Sequence, residues 1–272
     1  MTGGGASAPP PRLPGSATTF SMGRVAVTVA LGTALAALAL VPGAFARHGP
    51  QGQPPTELDR LVWAGAPVLC GGPHKRVFAL TFDDGPGPWT RTLLAALRRG
   101  HATGTFFLVG NRIALWPGAV AAEAQAGGVL GDHTWSHAHL TTLKPAQVLR
   151  QLDWTRATIL VHTETEVRLF RPPYDQIDAR VRRIVRSLGL LDVRWNVDSG
   201  DSRWGARPAQ VTRTILRNLK PGAIVLLHDA HPWTGKVVRS VLAAARRRHL
   251  RPVTVPRLLE VDPPDPAYNC YS

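Results

Sequence analysis

The stretch Val77-Phe78-Ala79-Leu80-Thr81-Phe82-Asp83-Asp84-Gly85-Pro86 decides the fold class of this chain of 272 residues. It starts as an apolar run, typical of a buried strand, and ends in two adjacent acids and a Gly-Pro pair. Because Asp is depleted from strands and Gly-Pro ends a strand, we expect Asp83 and Asp84 on the loop just past its C-terminal end. In parallel α/β folds ligands bind at that edge of the sheet. A turn-forming Asp-Asp-Gly without a chemical role is the alternative at this point.

Strand-like and helical segments alternate along the rest of the chain. Strands are predicted at 77–82, 105–109, 129–131, 168–170, 192–197, 223–227 and 252–255. Helices are predicted to begin near residues 90, 117, 145, 178, 208 and 234. Alternation with short connections indicates a parallel sheet covered by helices, and either a closed barrel or an open sheet satisfies it.

The first 46 residues have the features of an export signal. Arg24 precedes seventeen uncharged residues, 25–41, and a small-x-small pattern follows at 42–46. A membrane anchor that is never cleaved is the alternative, since seventeen residues are at the lower limit for spanning a bilayer. In both cases the remainder is predicted to be exported, and to be secreted or associated with the cell envelope.

The chain is strongly basic, with a formal net charge of +14, or +12 without residues 1–46. Outside a cell such a charge attracts anionic envelope polymers more readily than nucleic acid. No recognised nucleic-acid-binding fold accompanies it, and solvated helix faces also explain the scattered arginines. We therefore predict no nucleic-acid partner, and we expect a monomer that contacts a membrane only through an uncleaved N-terminal segment.

Two cysteines, Cys70 and Cys270, lie near the two ends of the predicted exported domain. An even count in an exported chain predicts a disulfide between them.

The segment Gly131-Asp132-His133-Thr134-Trp135-Ser136-His137 places two imidazoles four residues apart. On one helical turn they would share a face, and that spacing can chelate one metal ion. Two neutral imidazoles and one carboxylate leave coordination positions open for water and substrate. Asp84 can supply the carboxylate.

Three further strand ends carry ionisable side chains. Arg171, followed by two prolines and Tyr174, can be aimed at a carboxylate while the Tyr174 N–H faces an oxyanion. Asp201 follows another strand, and His228 follows the last buried one. Because one sheet edge gathers such ends, all these groups can surround one pocket.

In these five motifs and their order, the segment from Arg76 to about Glu260 resembles the polysaccharide deacetylases of carbohydrate esterase family 4, which contain the NodB homology domain. The resemblance implies a single catalytic domain, at 76–262, folded as a distorted (β/α) barrel. Residues 47–75 would then be a linker and lead-in, and 263–272 a C-terminal tail. It implies a metal-dependent hydrolase that removes acetyl groups from N-acetylglucosamine polymers such as peptidoglycan or chitin. Acetylated xylan is the alternative substrate.

The resemblance also assigns roles by matching positions. It makes Asp83 the catalytic base, Arg171 the group that orients Asp83, His228 the general acid, and Asp201 the group that holds and charges His228. It makes Asp84, His133 and His137 the ligands of one divalent metal, with zinc favoured and cobalt or another transition metal as the alternative. The Tyr174 amide would assist the oxyanion, and Leu226 would line the pocket for the acetyl methyl.

Two positions depart from the family pattern, and two rival interpretations stay open. Ser202 stands where the family commonly has Trp, the nearest being Trp204, and Asp175 stands where Gly is usual after Tyr174. One rival is an iron oxygenase, since two His and one carboxylate also form that site. The other is an inactive envelope polysaccharide-binding protein.

Overall fold

The computed structural model describes residues 55–270 of the chain. The predicted signal at 1–46, and the part of the predicted linker before residue 55, lie outside the described residues. Within residues 55–270, no helix is both long and apolar enough to cross a bilayer.

The described residues form eight strands, nine α-helices and two short 3₁₀ helices, Leu140–Thr142 and Pro173–Asp175. The strands are β1 (Val77–Gly85), β2 (Thr105–Leu108), β3 (Val129–Asp132), β4 (Leu169–Phe170), β5 (Leu191–Asp192), β6 (Val197–Asp198), β7 (Ile224–His228) and β8 (Arg251–Val253). The helices are α1 (Glu57–Ala64), α2 (Thr90–Arg99), α3 (Gly110–Leu115), α4 (Pro117–Gln125), α5 (Pro145–Thr163), α6 (Ala179–Ser187), α7 (Pro208–Asn218), α8 (Thr234–Arg247) and α9 (Val255–Val261).

All strand pairings are parallel, and the sheet runs in the order β5-β4-β3-β2-β1-β7-β6, with β8 pairing the start of β1. The two edge strands, β5 and β6, follow each other in the chain, and residues 193–196 connect them. The sheet is therefore a curled, incompletely closed barrel. This confirms the predicted fold class, a distorted (β/α) barrel in one domain.

Strand β1 has apolar residues on both faces, as expected of a parallel strand covered on both sides. Phe78, Leu80 and Phe82 belong to the core between sheet and helices, whereas Val77 and Ala79 belong to a second core inside the barrel. Because successive side chains alternate, Thr81 and Asp83 lie on the same inner face as Val77 and Ala79. The barrel interior is thus apolar at one end of β1 and polar at the other.

The predicted loop position of Asp83 and Asp84 is wrong. Strand β1 continues to Gly85, and Asp83 pairs with a residue of β2 on one side and with His228 of β7 on the other. Pairing on both sides outweighs the low strand propensity of Asp.

The predicted strand at 192–197 is two strands, β5 and β6. Val193 leaves the sheet to bridge Val68, and Val197 then joins β7 at the opposite edge. The chain between them crosses the gap in the barrel, which an uninterrupted strand does not do.

Three short helices, α1, α3 and α9, are absent from the sequence prediction. Helix α1 lies in the stretch predicted as linker and lead-in and packs against α9 and β5. Helix α9 starts at Val255, so the last predicted strand ends two residues early, at Val253.

Cys70 and Cys270 form a disulfide, with their Cα atoms 5.8 Å apart. It joins the lead-in before β1 to the end of the described chain.

Candidate active site

The register of the sheet gathers the predicted site residues at the C-terminal ends of the strands. Asp83 of β1 lies beside His228 of β7. Asp132 of β3 pairs with Phe170 of β4, so the residues that follow them, His133 and Arg171, leave the sheet side by side.

Asp84, His133 and His137 form a cluster that suits a metal ion. The Asp84 Oδ1 atom lies 3.5 Å from His133 Nε2 and 3.2 Å from His137 Nε2. One ligand atom from each residue lies within 4.8 Å of the others. Asp84 Oδ1 is buried and accepts no hydrogen bond from the described residues. A buried carboxylate oxygen facing two imidazole nitrogens fits a divalent transition metal.

The two histidines do not share a helical turn, so the predicted helical geometry is wrong. Thr134 and His137 have positive φ values of 69° and 56°, and the segment is an irregular loop. The Asp132 side chain accepts a hydrogen bond from the Thr134 N–H at 2.7 Å, which turns the chain directly after His133. This turn brings the two imidazole rings within 4.9 Å of each other by a route that the i, i+4 spacing does not describe.

Both imidazoles are held in the neutral form that a metal requires. Burial lowers the pKa of His133 to about 3, and burial also lowers the pKa of His137. His133 Nδ1 lies 2.7 Å from the Arg171 carbonyl oxygen, an acceptor, so Nδ1 carries the proton and the Nε2 lone pair faces Asp84.

Arg171 is fully buried and paired with Asp83. Its Nη1 lies 2.7 Å from Asp83 Oδ1, and it also donates to the Thr81 hydroxyl at 2.8 Å. The rest of the guanidinium donates to two backbone carbonyls, and the Phe107 ring lies 4.1 Å from its carbon. Burial raises the pKa of Asp83 while the charge of Arg171 opposes that rise. The other carboxylate oxygen of Asp83, Oδ2, lies 3.8 Å from His133 Nε2, next to the cluster of Asp84, His133 and His137.

His228 is paired with the buried carboxylate of Asp201. His228 Nδ1 lies 2.7 Å from Asp201 Oδ1, and the His228 backbone N–H donates to Oδ2, also at 2.7 Å. Burial alone lowers the pKa of His228, but the hydrogen bond and charge of Asp201 outweigh burial and raise the pKa to about 9. The imidazole therefore holds a proton at neutral pH.

Tyr174 contacts the ring of His137, and Leu226 belongs to strand β7. Tyr174 has φ 59°, and its half-exposed ring stacks on His139 at 3.9 Å and meets the His137 ring edge-on at 4.5 Å. Leu226 is buried and lies two residues before His228, on the same face of β7.

The two departures from the family pattern have different structural settings. The Asp175 carboxylate forms an ion pair with Arg194, which also binds Asp192 at 2.6 Å, so the charge of Asp175 is compensated. The Trp204 side chain is fully exposed and does not replace a pocket wall next to Ser202.

The sequence pattern did not predict three residues of the site. Thr81 binds Arg171, His139 stacks on Tyr174, and His231 Nε2 lies 3.0 Å from the Asp201 carbonyl oxygen. Thr81 was detectable, because it lies two residues before Asp83 and shares its face. His139 and His231 lie in loops, and nothing in their spacing along the sequence indicates which residues they contact.

The chain is similar to proteins of one known family. Residues 71–193 match the family described as polysaccharide deacetylase. Peptidoglycan-N-acetylglucosamine deacetylase of Bacillus cereus is 30% identical over 205 residues, which cover 72% of this chain and 74% of that protein. Chitin deacetylase 1 of Cryptococcus neoformans is 35% identical over 209 residues, covering 64% of this chain and 44% of that protein. The chain spans less than half the length of the first curated relatives it matches.

A solved structure shows the same likeness in three dimensions. The family 4 carbohydrate esterase from Streptomyces lividans, in complex with acetate, superposes with a TM-score of 0.63 and is 32% identical. The match covers 69% of this chain and 95% of that structure.

Proposed function

Because the chain belongs to the polysaccharide deacetylase family, carbohydrate esterase family 4, we propose that it is a metal-dependent hydrolase that removes N-acetyl groups from an N-acetylglucosamine-containing polysaccharide, peptidoglycan or chitooligosaccharide. The single observation that carries this proposal is the placement of the Asp84, His133 and His137 cluster next to the buried Asp83–Arg171 pair.

Asp84, His133 and His137 would hold the metal. When bound, a divalent cation supplies Lewis acidity toward water and the acetyl carbonyl. We propose zinc, with cobalt or another transition metal as the alternative, because the ligand set of two imidazoles and one carboxylate suits these ions.

Asp83 is the proposed general base. Arg171 occupies Oδ1 and fixes the orientation of the carboxylate, and Oδ2 remains to take the proton of the attacking water. Arg171 also donates hydrogen bonds to Thr81 and to two backbone carbonyls. These bonds hold the guanidinium in place beside Asp83 when a substrate binds.

His228 is the proposed general acid. Expulsion of an amine requires that its nitrogen be protonated, and the imidazolium held by Asp201 has the proton to donate. The Tyr174 N–H would donate to the developing oxyanion, and Leu226 would contact the acetyl methyl.

The proposed substrate also bears on where the protein acts. A wall-directed substrate agrees with a secreted or envelope-associated protein, with residues 1–46 as signal or anchor and 76–262 as a catalytic domain that acts as a monomer. The positive net charge would assist association with anionic envelope polymers.

The test is acetate release by the metal-loaded protein from chitooligosaccharides, peptidoglycan and acetylxylan, measured side by side with an Asp83→Asn variant as the control. We expect release from at least one of the first two and loss of about 10² to 10⁴ of the rate in the variant. Release from acetylxylan alone would establish the O-deacetylase alternative, and no release from any polymer, with binding retained, would establish an inactive binding protein. Activity with zinc or cobalt under anaerobic conditions excludes the oxygenase interpretation.

A further inference from the structure

Asp84 lies in a β-bulge of strand β1. In the pairing of β1 with β2, Asp83 pairs with Phe107. The next pair is Gly85 with Leu108, so Asp84 is an extra residue without a partner in β2, and it has a positive φ of 67°. A β-bulge turns a side chain out of the regular alternation of a strand. The direction of the Asp84 carboxylate therefore depends on how the chain is held on the two sides of the bulge.

No hydrogen bond from the described residues fixes Asp84 Oδ1. This atom is buried and faces the rings of His133 and His137. Two other groups of the site differ in this respect, because Arg171 binds both the Asp83 carboxylate and the His133 ring. The backbone around the bulge is therefore what aims Asp84 Oδ1 at the two imidazoles.

Asp229 holds the chain before the bulge. It directly follows His228, which pairs with Asp83. The Asp229 backbone N–H donates to the Asp83 carbonyl oxygen at 2.9 Å. The Asp229 side chain is buried, and the proposed general acid and general base do not use it.

The carboxylate of Asp229 holds the chain after the bulge. Its Oδ2 atom accepts a hydrogen bond from the Thr90 hydroxyl, and Thr90 Oγ1 accepts one from the Gly87 N–H at 2.8 Å. Thr90 and Gly87 are both buried. Gly85 packs against the same carboxylate, since a Cβ at Gly85 would lie 3.3 Å from Asp229 Oδ2. One buried side chain thus connects β7 with the turn that follows Asp84.

We propose that Asp229 and Thr90 are positioning residues that aim the Asp84 carboxylate at the metal. This inference rests on the proposed metal site. Asp229 does not belong to the cluster of Asp84, His133 and His137, and its Oδ2 atom is bound to Thr90. Replacing a group that orients a metal ligand typically weakens metal binding about 10- to 100-fold.

The experiment is titration of the metal-free full chain with cobalt, followed by visible absorption, for matched variants. Thr90→Val keeps the shape of the side chain and removes both hydrogen bonds, whereas Thr90→Ser keeps the hydroxyl. Thr105→Val is the control, because Thr105 is equally buried and its Oγ1 atom also accepts a hydrogen bond from a backbone N–H, that of Val255, at 3.0 Å. Thr105 lies at the start of β2, at the opposite end of that strand from the catalytic edge. We expect Thr90→Val to bind cobalt about tenfold or more weakly, and the other two variants to change the affinity by less than about threefold.

Melting temperatures of the metal-free variants separate positioning from stability. Thr90→Val and Thr105→Val each lose a buried hydrogen bond, so both should melt below the wild type. A role in stability alone would lower the melting temperature without changing the cobalt affinity of the folded protein. Asp229→Ala removes the link from Thr90 to β7 and should also weaken cobalt binding by about tenfold or more, which tests the inference if Thr90→Val does not fold.

Wild-type cobalt affinity in folded Thr90→Val, or a loss in Thr105→Val as large as that in Thr90→Val, would overturn the proposal. Failure of Thr90→Ser to restore the affinity would also overturn it, because the hydroxyl would then not be the group that holds the turn. A wild type that binds no cobalt would overturn the proposed metal site and this inference together. Cobalt binding is measured without substrate, so failure of the proposed deacetylase activity would not change these results.

Discussion

At the scale of single residues, the proton on His228 depends on one neighbour. Asp201 is buried, and both its carboxylate oxygens contact His228, one through the ring and one through the backbone N–H. Burial of an imidazole lowers its pKa unless an anion compensates, so the rise of the His228 pKa to about 9 depends on this carboxylate. A divalent cation bound nearby would repel the imidazolium and bring the value down.

Acetate release should therefore fall as pH rises toward about 9, where His228 loses its proton. Replacing Asp201 with Asn removes the charge, so we expect the alkaline limb of the profile to move to lower pH. The measurement is kcat against pH for the wild type and the variant, with Asp198→Asn, an exposed neighbour, as the control. An alkaline limb that stays in place in Asp201→Asn would assign it to another group.

His228→Ala separates proton donation from metal binding. Its ring is not part of the Asp84, His133 and His137 cluster, so metal content should be unchanged. We expect kcat to fall by about 10² to 10⁴, the usual contribution of a general acid. Metal content measured by mass spectrometry on the same samples checks this, and loss of metal would count against the assigned role.

At the scale of secondary-structure elements, the turn after β4 shows how a departure from the family pattern is accommodated. Tyr174 and Asp175 both have positive φ, 59° and 58°, a conformation that Gly adopts freely and other residues adopt at a cost. The ion pair of Asp175 with Arg194 holds the turn, and Arg194 is itself held by Asp192 at the end of β5. The ion pair of Asp175 with Arg194 thus offsets the cost of a positive φ that Gly would not have.

Substitutions at Asp175 separate the backbone cost of its positive φ from the contribution of its ion pair with Arg194. Asp175→Ala loses the ion pair and keeps the backbone cost, so it should be less stable than Asp175→Gly by about 1 kcal/mol. Asn tolerates a positive φ about as well as Asp does, so the stability lost in Asp175→Asn measures the contribution of the ion pair alone. Urea denaturation of the three variants measures the order, and Ala equal to or more stable than Gly would contradict it.

Helix α4 buries an acid without a partner. Glu123 is fully buried, and neither of its carboxylate oxygens has a hydrogen-bond partner among the described residues. Burial, and then the charge of Asp229, raise the pKa of Glu123 well above its ordinary 4.5. The folded protein keeps this proton at pH values where the unfolded chain has lost it.

The buried proton of Glu123 makes the stability of the folded protein depend on pH. Stability from the Glu123 proton is complete below about pH 4.5 and is lost as pH rises toward the folded-state pKa. Glu123→Gln cannot titrate, so its melting temperature should gain on that of the wild type between about pH 5 and pH 8, by about 3 to 5 °C for each pKa unit of the shift. Glu166→Gln, an exposed acid, is the control. A difference that does not change with pH would show that Glu123 is ionised in the folded protein.

The elements that could be predicted are those specified by nearby residues. The helix from Thr90 to Arg99 follows from local apolar spacing and Gly100, and α6 begins at the Asp178 cap, whose side chain accepts from the Val181 N–H at 2.7 Å. The extension of β1 through Asp83 depends on His228, far along the chain, and the histidine loop depends on the Asp132 side chain. Periodicity contains no information about such contacts, although the order of motifs predicted which groups would meet.

At the scale of the whole molecule, the gap in the barrel is closed by chain segments rather than by strands. Asn196, in the connection between β5 and β6, accepts from the Ile224 N–H at 2.9 Å and donates to the Cys270 carbonyl at 2.9 Å. The lead-in also contributes here, through the bridge of Val68 to Val193. The disulfide joins these two outer segments, and none of the side chains proposed to act in catalysis belongs to either segment.

Loss of the disulfide should therefore reduce stability and leave the chemistry intact. The bridge connects residues 200 positions apart, and restricting so long a loop in the unfolded chain contributes about 5 kcal/mol in the entropy model, an upper value. We expect Cys70→Ser/Cys270→Ser to melt about 10 °C or more below the wild type, with kcat unchanged at temperatures where it is folded. Reductant should lower the wild-type melting temperature to that of the variant and should not affect the variant. Equal melting temperatures of oxidised wild type and variant would show that contacts such as that of Asn196 with Cys270 hold the C-terminal segment without the covalent bond.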